Sequence, residues 1–239
     1  MLSAGLINGQ ILNMEDYRIH NDTLGWSGKA GIDLYVTKNT KTLTKISGLW
    51  HVQHKSEKDL ILLLAKYSLL KSDAQDLIDQ SVLHLRYNHF FTQNLIGEWF
   101  IQGQKNSISG IFFRGLSGLG LRLKLSKNFE KNKVYFGTAP MFEYEQTTSN
   151  KIIKLWRWSN YVSFTFSPNK LFSLVSTTYY QPVFVHFKDF RISSQNSLMF
   201  KMTDHLSFKT SFIYNFDNKP VSGIPKEQYN LTSGALYQF

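Results

Sequence analysis

Charged and amide side chains recur at alternate positions in several segments, and chemistry is to be sought first at Arg86, Glu98, Gln102, Arg114, Arg122, Lys124, Glu143, Glu145, Arg157 and Arg191. An arginine fork beside a carboxylate forms charge-assisted, often bidentate hydrogen bonds. In a packed interior such pairs brace the structure. In a water-filled passage, surplus cations draw in anions, most strongly where the space is narrow and weakly screened. The wider set on the same parity adds Lys29, Lys45, Lys66, Lys201 and Lys209 against Asp33 and Asp217. Basic members outnumber acidic ones. Two uses stay open: structural packing and an anion-preferring path.

Other chemistries find less support. A nucleophilic site needs a serine within reach of a histidine that a third polar group orients. His89 has Asn88 beside it, but the two point to opposite faces, and no motif links a serine to His89. Ser117 lies between Phe113 and Leu119 on the apolar parity. No catalytic residue is assigned, and enzymatic activity is not expected. His51, Gln53 and His54 are close in sequence, yet the two histidines have opposite parity and cannot share one ion from a regular strand. There are no cysteines, so disulfides, thiolate catalysis and cysteine metal sites are all excluded. "GLSGLG" at 115–120 sits inside a strand pattern with no helix after it, so it is no phosphate loop. Neither a metal nor a cofactor is expected.

These residues sit on strands. In 30–36, Ala30, Ile32, Leu34 and Val36 alternate with polar neighbours; 83–89, 113–125 and 206–216 repeat the pattern. A period of two puts each set on its own face of a sheet. The runs often reach eleven to fifteen residues, against about five or six for soluble strands. About ten suffice to cross a bilayer at the usual tilt. The helical alternative for 58–71 is too apolar all round to give one stripe. Twelve strands are predicted: 28–38, 42–54, 58–71, 77–91, 94–106, 110–126, 132–147, 151–166, 170–182, 188–202, 205–217 and 226–239. Residues 1–25 read as an irregular periplasmic lead-in, and 26–239 as the barrel. An even strand number puts both termini on the periplasmic side of an all-β, antiparallel, up-and-down barrel.

Composition agrees. Aromatics are 15% of the 239 residues, and mean hydropathy is only −0.25, as strands with one polar face would average. No apolar run is long enough for a membrane helix. The net charge of +10 is spread along the chain rather than gathered in an arm, so nucleic acid is not an expected partner. Trp50, Trp99, Trp156, Trp158, Tyr144 and Tyr180 fall on the outward parity, as interface anchors do. Tyr229, Leu231, Tyr237 and Phe239 share one parity in the last strand and match the assembly signal of outer-membrane proteins. Met1–Gln10 has no basic start or long apolar core; the signal peptide that export requires is expected to be missing from this sequence.

Several stretches resemble one family. They are "GWSGKAGIDLYVTKN" at 25–39, "HLRYNHFFTQNLIGEWFIQGQKN" at 84–106, "FRGLSGLGLRLKL" at 113–125, "APMFEYE" at 139–145, "YYQPVFVHFKDFRI" at 179–192 and the closing "LTSGALYQF". Spaced in this order, they resemble the domain-of-unknown-function 481 (DUF481) family of salt-induced outer-membrane proteins. The resemblance implies a membrane barrel and little chemistry. The sequence therefore predicts an integral barrel of a Gram-negative outer membrane: a small passive anion-preferring channel or envelope-stress barrel. The alternative is a non-conducting structural or partner-docking barrel, with a membrane-embedded lipid hydrolase third. Expected partners are outer-membrane lipid and lipopolysaccharide, the barrel-assembly machinery and other outer-membrane proteins.

Overall fold

The computed structural model describes residues 24–38, 42–73, 75–126, 132–169, 171–203 and 206–237. They form twelve strands: β1 (Gly25–Lys38), β2 (Thr42–Lys55), β3 (Asp59–Ser72), β4 (Gln75–Phe90), β5 (Leu95–Asn106), β6 (Ile111–Lys124), β7 (Lys133–Thr147), β8 (Ile152–Phe166), β9 (Phe172–Val183), β10 (His186–Lys201), β11 (Leu206–Asp217) and β12 (Glu227–Tyr237). Each strand pairs antiparallel with its sequence neighbours, in the order β1 to β12. The predicted ranges fall within three residues of these. The apolar stretch 58–71 is a strand. The lead-in 1–23 and Phe239 lie outside the described residues, as does the side chain of Tyr237.

The sheet curls until strands that are not neighbours touch across its inside. Tyr161 on β8 reaches Glu98 on β5, and Arg191 on β10 reaches Glu143 on β7. Ser109, in the β5–β6 turn, meets Gln228 on β12. This makes an up-and-down β-barrel. The described ladders run from β1 to β12, and no β1–β12 pairing occurs among the described residues. The start of β1, the end of β12 and the turns near Ser56 and Thr92 share the lower end. The turns near Ser107, Ser149 and Pro220 share the upper end.

Glycines let the wall bend. A Cβ on Gly120 would come within 2.1 Å of the Thr138 carbonyl oxygen and 2.5 Å of Ala139 Cβ. One on Gly118 would lie 2.6 Å from the Phe100 ring. Both face inward, where a side chain would collide with the neighbouring strand. Alternation then separates two faces. Outward lie large apolar groups such as Trp50, Leu83, Ile101, Leu119 and Trp156, all exposed. Inward lie the charged and amide residues, together with an apolar filling of Leu60, Leu62 and Leu64 on β3 and of Phe100, Leu116, Met141, Tyr161 and Tyr179 around them.

Candidate functional site

The interior is built by parity. Even positions of β4, β5 and β6 and odd positions of β7, β8 and β10 point inward, following from the strand registers. This brings together Arg86, Glu98, Gln102, Arg114, Arg122, Glu143, Glu145, Arg157 and Arg191, and all are buried. Lys124 shares the inward parity but stands at the lower end, half-buried and outside the clusters described next.

The upper cluster centres on Glu143. Its Oε2 accepts from Arg157 Nε at 2.6 Å, and its Oε1 accepts from Arg191 Nη1 at 2.5 Å. Arg114 Nε stands 3.2 Å from Glu143 Oε1 and donates to Glu145 Oε2 at 2.8 Å. Arg191 continues to Glu145 at 3.2 Å and to Asp217 Oδ2 at 2.7 Å. Arg157 Nη1 donates to Asp189 Oδ1 at 3.3 Å and to the Gln181 carbonyl at 3.2 Å. Three arginines and four carboxylates from β6, β7, β8, β10 and β11 thus pair with one another, with Glu143 and Glu145 fully buried and Asp189 and Asp217 at the cluster's partly exposed edge. Buried charges require such mutual pairing.

The lower cluster centres on Glu98. Arg122 Nη1 and Arg86 Nη1 approach its Oε1 at 3.5 and 3.7 Å. Tyr161 donates its hydroxyl to Oε2 at 2.6 Å. The Arg122 guanidinium also lies 3.8 Å from the Tyr135 ring centroid, a cation–π contact. Between the clusters, Gln102 joins His84 Nδ1 at 2.9 Å to Gln104 at 2.5 Å. The five arginines therefore stand beside five carboxylates, Glu98, Glu143, Glu145, Asp189 and Asp217, so charge is matched over the two clusters together, with one carboxylate in excess above and one arginine in excess below. Asp189 and Tyr161 were not among the sequence candidates. Each shares parity with an assigned neighbour, Arg191 and Arg157, which was the available signal. Asp189 also sits in the irregular stretch between His186 and Phe190, where the register shifts.

The rest of the interior differs in kind. On β1, Ser27, Lys29, Gly31 and Asp33 face inward; on β11, Ser207, Lys209 and Ser211 do so; on β12, Asn230, Thr232 and Gly234 do. None of these is buried. The barrel thus has a half filled with long, buried side chains and a half lined by less buried ones, mostly short and polar, with Lys29, Asp33, Tyr35, Lys209 and Ile213 among them.

At the upper mouth lies a cavity of about 710 Å³, lined by Arg114, Glu145, Arg157, Asp189, Arg191 and Asp217 among others. The segment between β11 and β12 stands over it. A Cβ on Gly110 would meet Val221 at 3.2 Å and Ile224 at 3.7 Å, so this segment packs on the β5–β6 turn. Lys219 Nζ is 3.6 Å from Asp189 Oδ2.

On the outer wall, near the lower end, His89 Nδ1 lies 2.8 Å from Asp59 Oδ1, which also accepts from the Tyr87 hydroxyl at 2.6 Å. The polar group beside His89 is thus Asp59, not Asn88, which is buried inside. Ser56 Oγ turns to Asp59, and no serine bonds to His89 among the described residues. His51 and His54 point to opposite faces, as their parity requires, and no group of three metal-ligating side chains occurs among the described residues.

Set beside known proteins, residues 22–239 match the family model described as "Protein of unknown function, DUF481". No curated protein matches the chain. A solved structure of the porin NanC, in a rhombohedral crystal form, is similar over 87% of this chain and 100% of that one, at 11% identity and a TM-score of 0.48.

Proposed function

The chain belongs to the DUF481 family, proteins of unknown function, and on that footing we propose that it is an integral outer-membrane β-barrel that acts as a narrow, passive, anion-preferring channel. The apolar outer face over twelve long strands supports the membrane setting. The observation that carries the channel reading is the division of the interior. The arginine clusters brace one half, and solute would pass along the β11–β12–β1 half. There the inward charges are Lys29 and Lys209 with Asp33, and Asp217 at the upper end of β11 is bonded to Arg191. Positive charge in a narrow polar passage favours anions.

The test is single-channel recording on the refolded protein. A small current with anion preference is expected. Lys29→Glu with Lys209→Glu should reverse or abolish that preference while the barrel still folds. Arg86→Ser and Arg114→Ser should chiefly lower stability, since their partners are bracing carboxylates. Absence of any current sinks the channel reading and leaves a non-conducting structural or envelope-stress barrel, which the filled arginine half and the covered mouth favour.

No reaction is assigned. The Asp59–His89 pair lacks a bonded serine, and the purified barrel is expected not to hydrolyse phospholipid. Hydrolysis that disappears in His89→Ala would overturn this. Tyr229 and Leu231 face outward on β12, as a strand read by the barrel-assembly machinery would present them. Lipid and lipopolysaccharide are the expected surroundings of the outer wall.

A further inference from the structure

The outer wall is not uniform. On β2 to β6 its middle rows are apolar, with Trp50, Val52, Leu63, Leu85 and Ile101 among them. On β7 to β12 a diagonal of polar side chains crosses the same face. Four cross-strand pairs compose it. Thr138 Oγ1 donates to Asn160 Oδ1 at 2.8 Å. Thr178 and Ser194 hydroxyls lie 2.9 Å apart. Ser176 Oγ donates to Asn196 Oδ1 at 2.7 Å. Thr210 and Ser233 hydroxyls lie 3.0 Å apart. Asn196 Nδ2 links two of the pairs by donating to Ser194 Oγ at 3.1 Å. The registers place the last three pairs near the middle of β9 to β12, with Phe164, Leu174, Leu198, Phe212 and Leu231 around them.

We propose that this diagonal is the contact surface of a homodimer in the membrane. The inference rests on the membrane reading above. Hydroxyl and amide groups facing hydrocarbon gain by meeting further partners, because lipid offers none. Each Ser or Thr hydroxyl has one donor and two acceptor sites, so capacity remains even on Ser194, which also accepts from Asn196, and on Thr138, which also accepts from Trp158 Nε1. The stripe holds no charge, which removes any preference for an oppositely charged partner. Its groups both donate and accept, so a two-fold axis through the stripe sets it against itself with complementary bonding, the usual geometry of small assemblies. Four strands at about 4.8 Å spacing span about 19 Å. Across an apolar band about 25 Å tall this gives roughly 500 Å² per copy. Two copies bury roughly 1,000 Å², the lower bound of a specific interface.

The absence of cysteine makes the test clean. Single replacements Thr178→Cys, in the stripe, and Leu83→Cys, exposed on the far wall, are reconstituted in phosphatidylcholine vesicles and oxidised. Thr178→Cys is expected to give a disulfide-linked dimer, and Leu83→Cys a monomer. Adding Asn196→Leu and Ser194→Ala to Thr178→Cys should abolish the dimer while the barrel stays folded. Equal cross-linking at both positions, or a monomer at Thr178→Cys, overturns the proposal. Vesicle flotation separates the two readings. Protein that floats with the vesicles but stays monomeric defeats only the dimer. Protein that fails to float defeats the membrane reading and the dimer with it.

Discussion

At the scale of single residues, Glu143 is the point on which the interior turns. It touches Arg114, Arg157 and Arg191, contributed by three different strands. Removing its charge leaves the upper cluster with three buried guanidinium groups and fewer acceptors. Glu143→Ala is expected to cost about 3–5 kcal/mol, the range for breaking a buried pair from one side. Urea unfolding from lipid vesicles measures it. Lys209→Glu, on the unfilled half, should change stability by less than about 0.5 kcal/mol, as for substitutions away from packed groups. Equal effects at the two positions would mean that the division of the interior has no energetic content. The two substitutions thus separate bracing from conduction: the first is read in unfolding, the second in ion preference.

At the scale of elements, the strands were legible in the sequence and the contacts between them only in part. Alternation in the clearer segments, with the run lengths of the others, located the twelve strands, and parity assigned Arg86, Arg114, Arg122, Arg157 and Arg191 to one face, because a period of two has a single reading once the inside is polar. It could not tell which carboxylate each arginine takes. Arg191 meets Glu143 through curvature that brings β10 over β7, and no local pattern encodes that approach. Leu60, Leu62 and Leu64 show a different gap. Their strand is apolar on both parities, and only Lys66, on the inward parity, set the inward leucines apart from the outward Ile61 and Leu63. In the sequence, the segment between β11 and β12 shows only its length and its prolines, Pro220 and Pro225. Its seat on Gly110 came from the fold. Deleting residues 219–224 should uncover the mouth, raising single-channel conductance while leaving the unfolding midpoint of the strands nearly unchanged. An unaltered current would show that the segment does not limit passage.

At the scale of the whole molecule, every described strand ladder joins sequence neighbours, while four contacts of the arginine clusters, Arg157–Asp189, Arg191–Glu143, Arg191–Glu145 and Tyr161–Glu98, also tie strands two or three places apart. These two kinds of tie are spread unevenly. From β4 to β10 the wall has both. On β1, β11 and β12 it relies mostly on backbone ladders, with short side chains inside. The difference is mechanical. One arc of the cross-section is trussed from within and resists bending, while the other can flex as a plain sheet does. Stretching the surrounding bilayer should therefore widen the flexible arc first, without breaking an ion pair. Suction applied to a membrane patch should then raise the current smoothly and reversibly, and Glu143→Gln, by loosening the truss, should make the rise steeper.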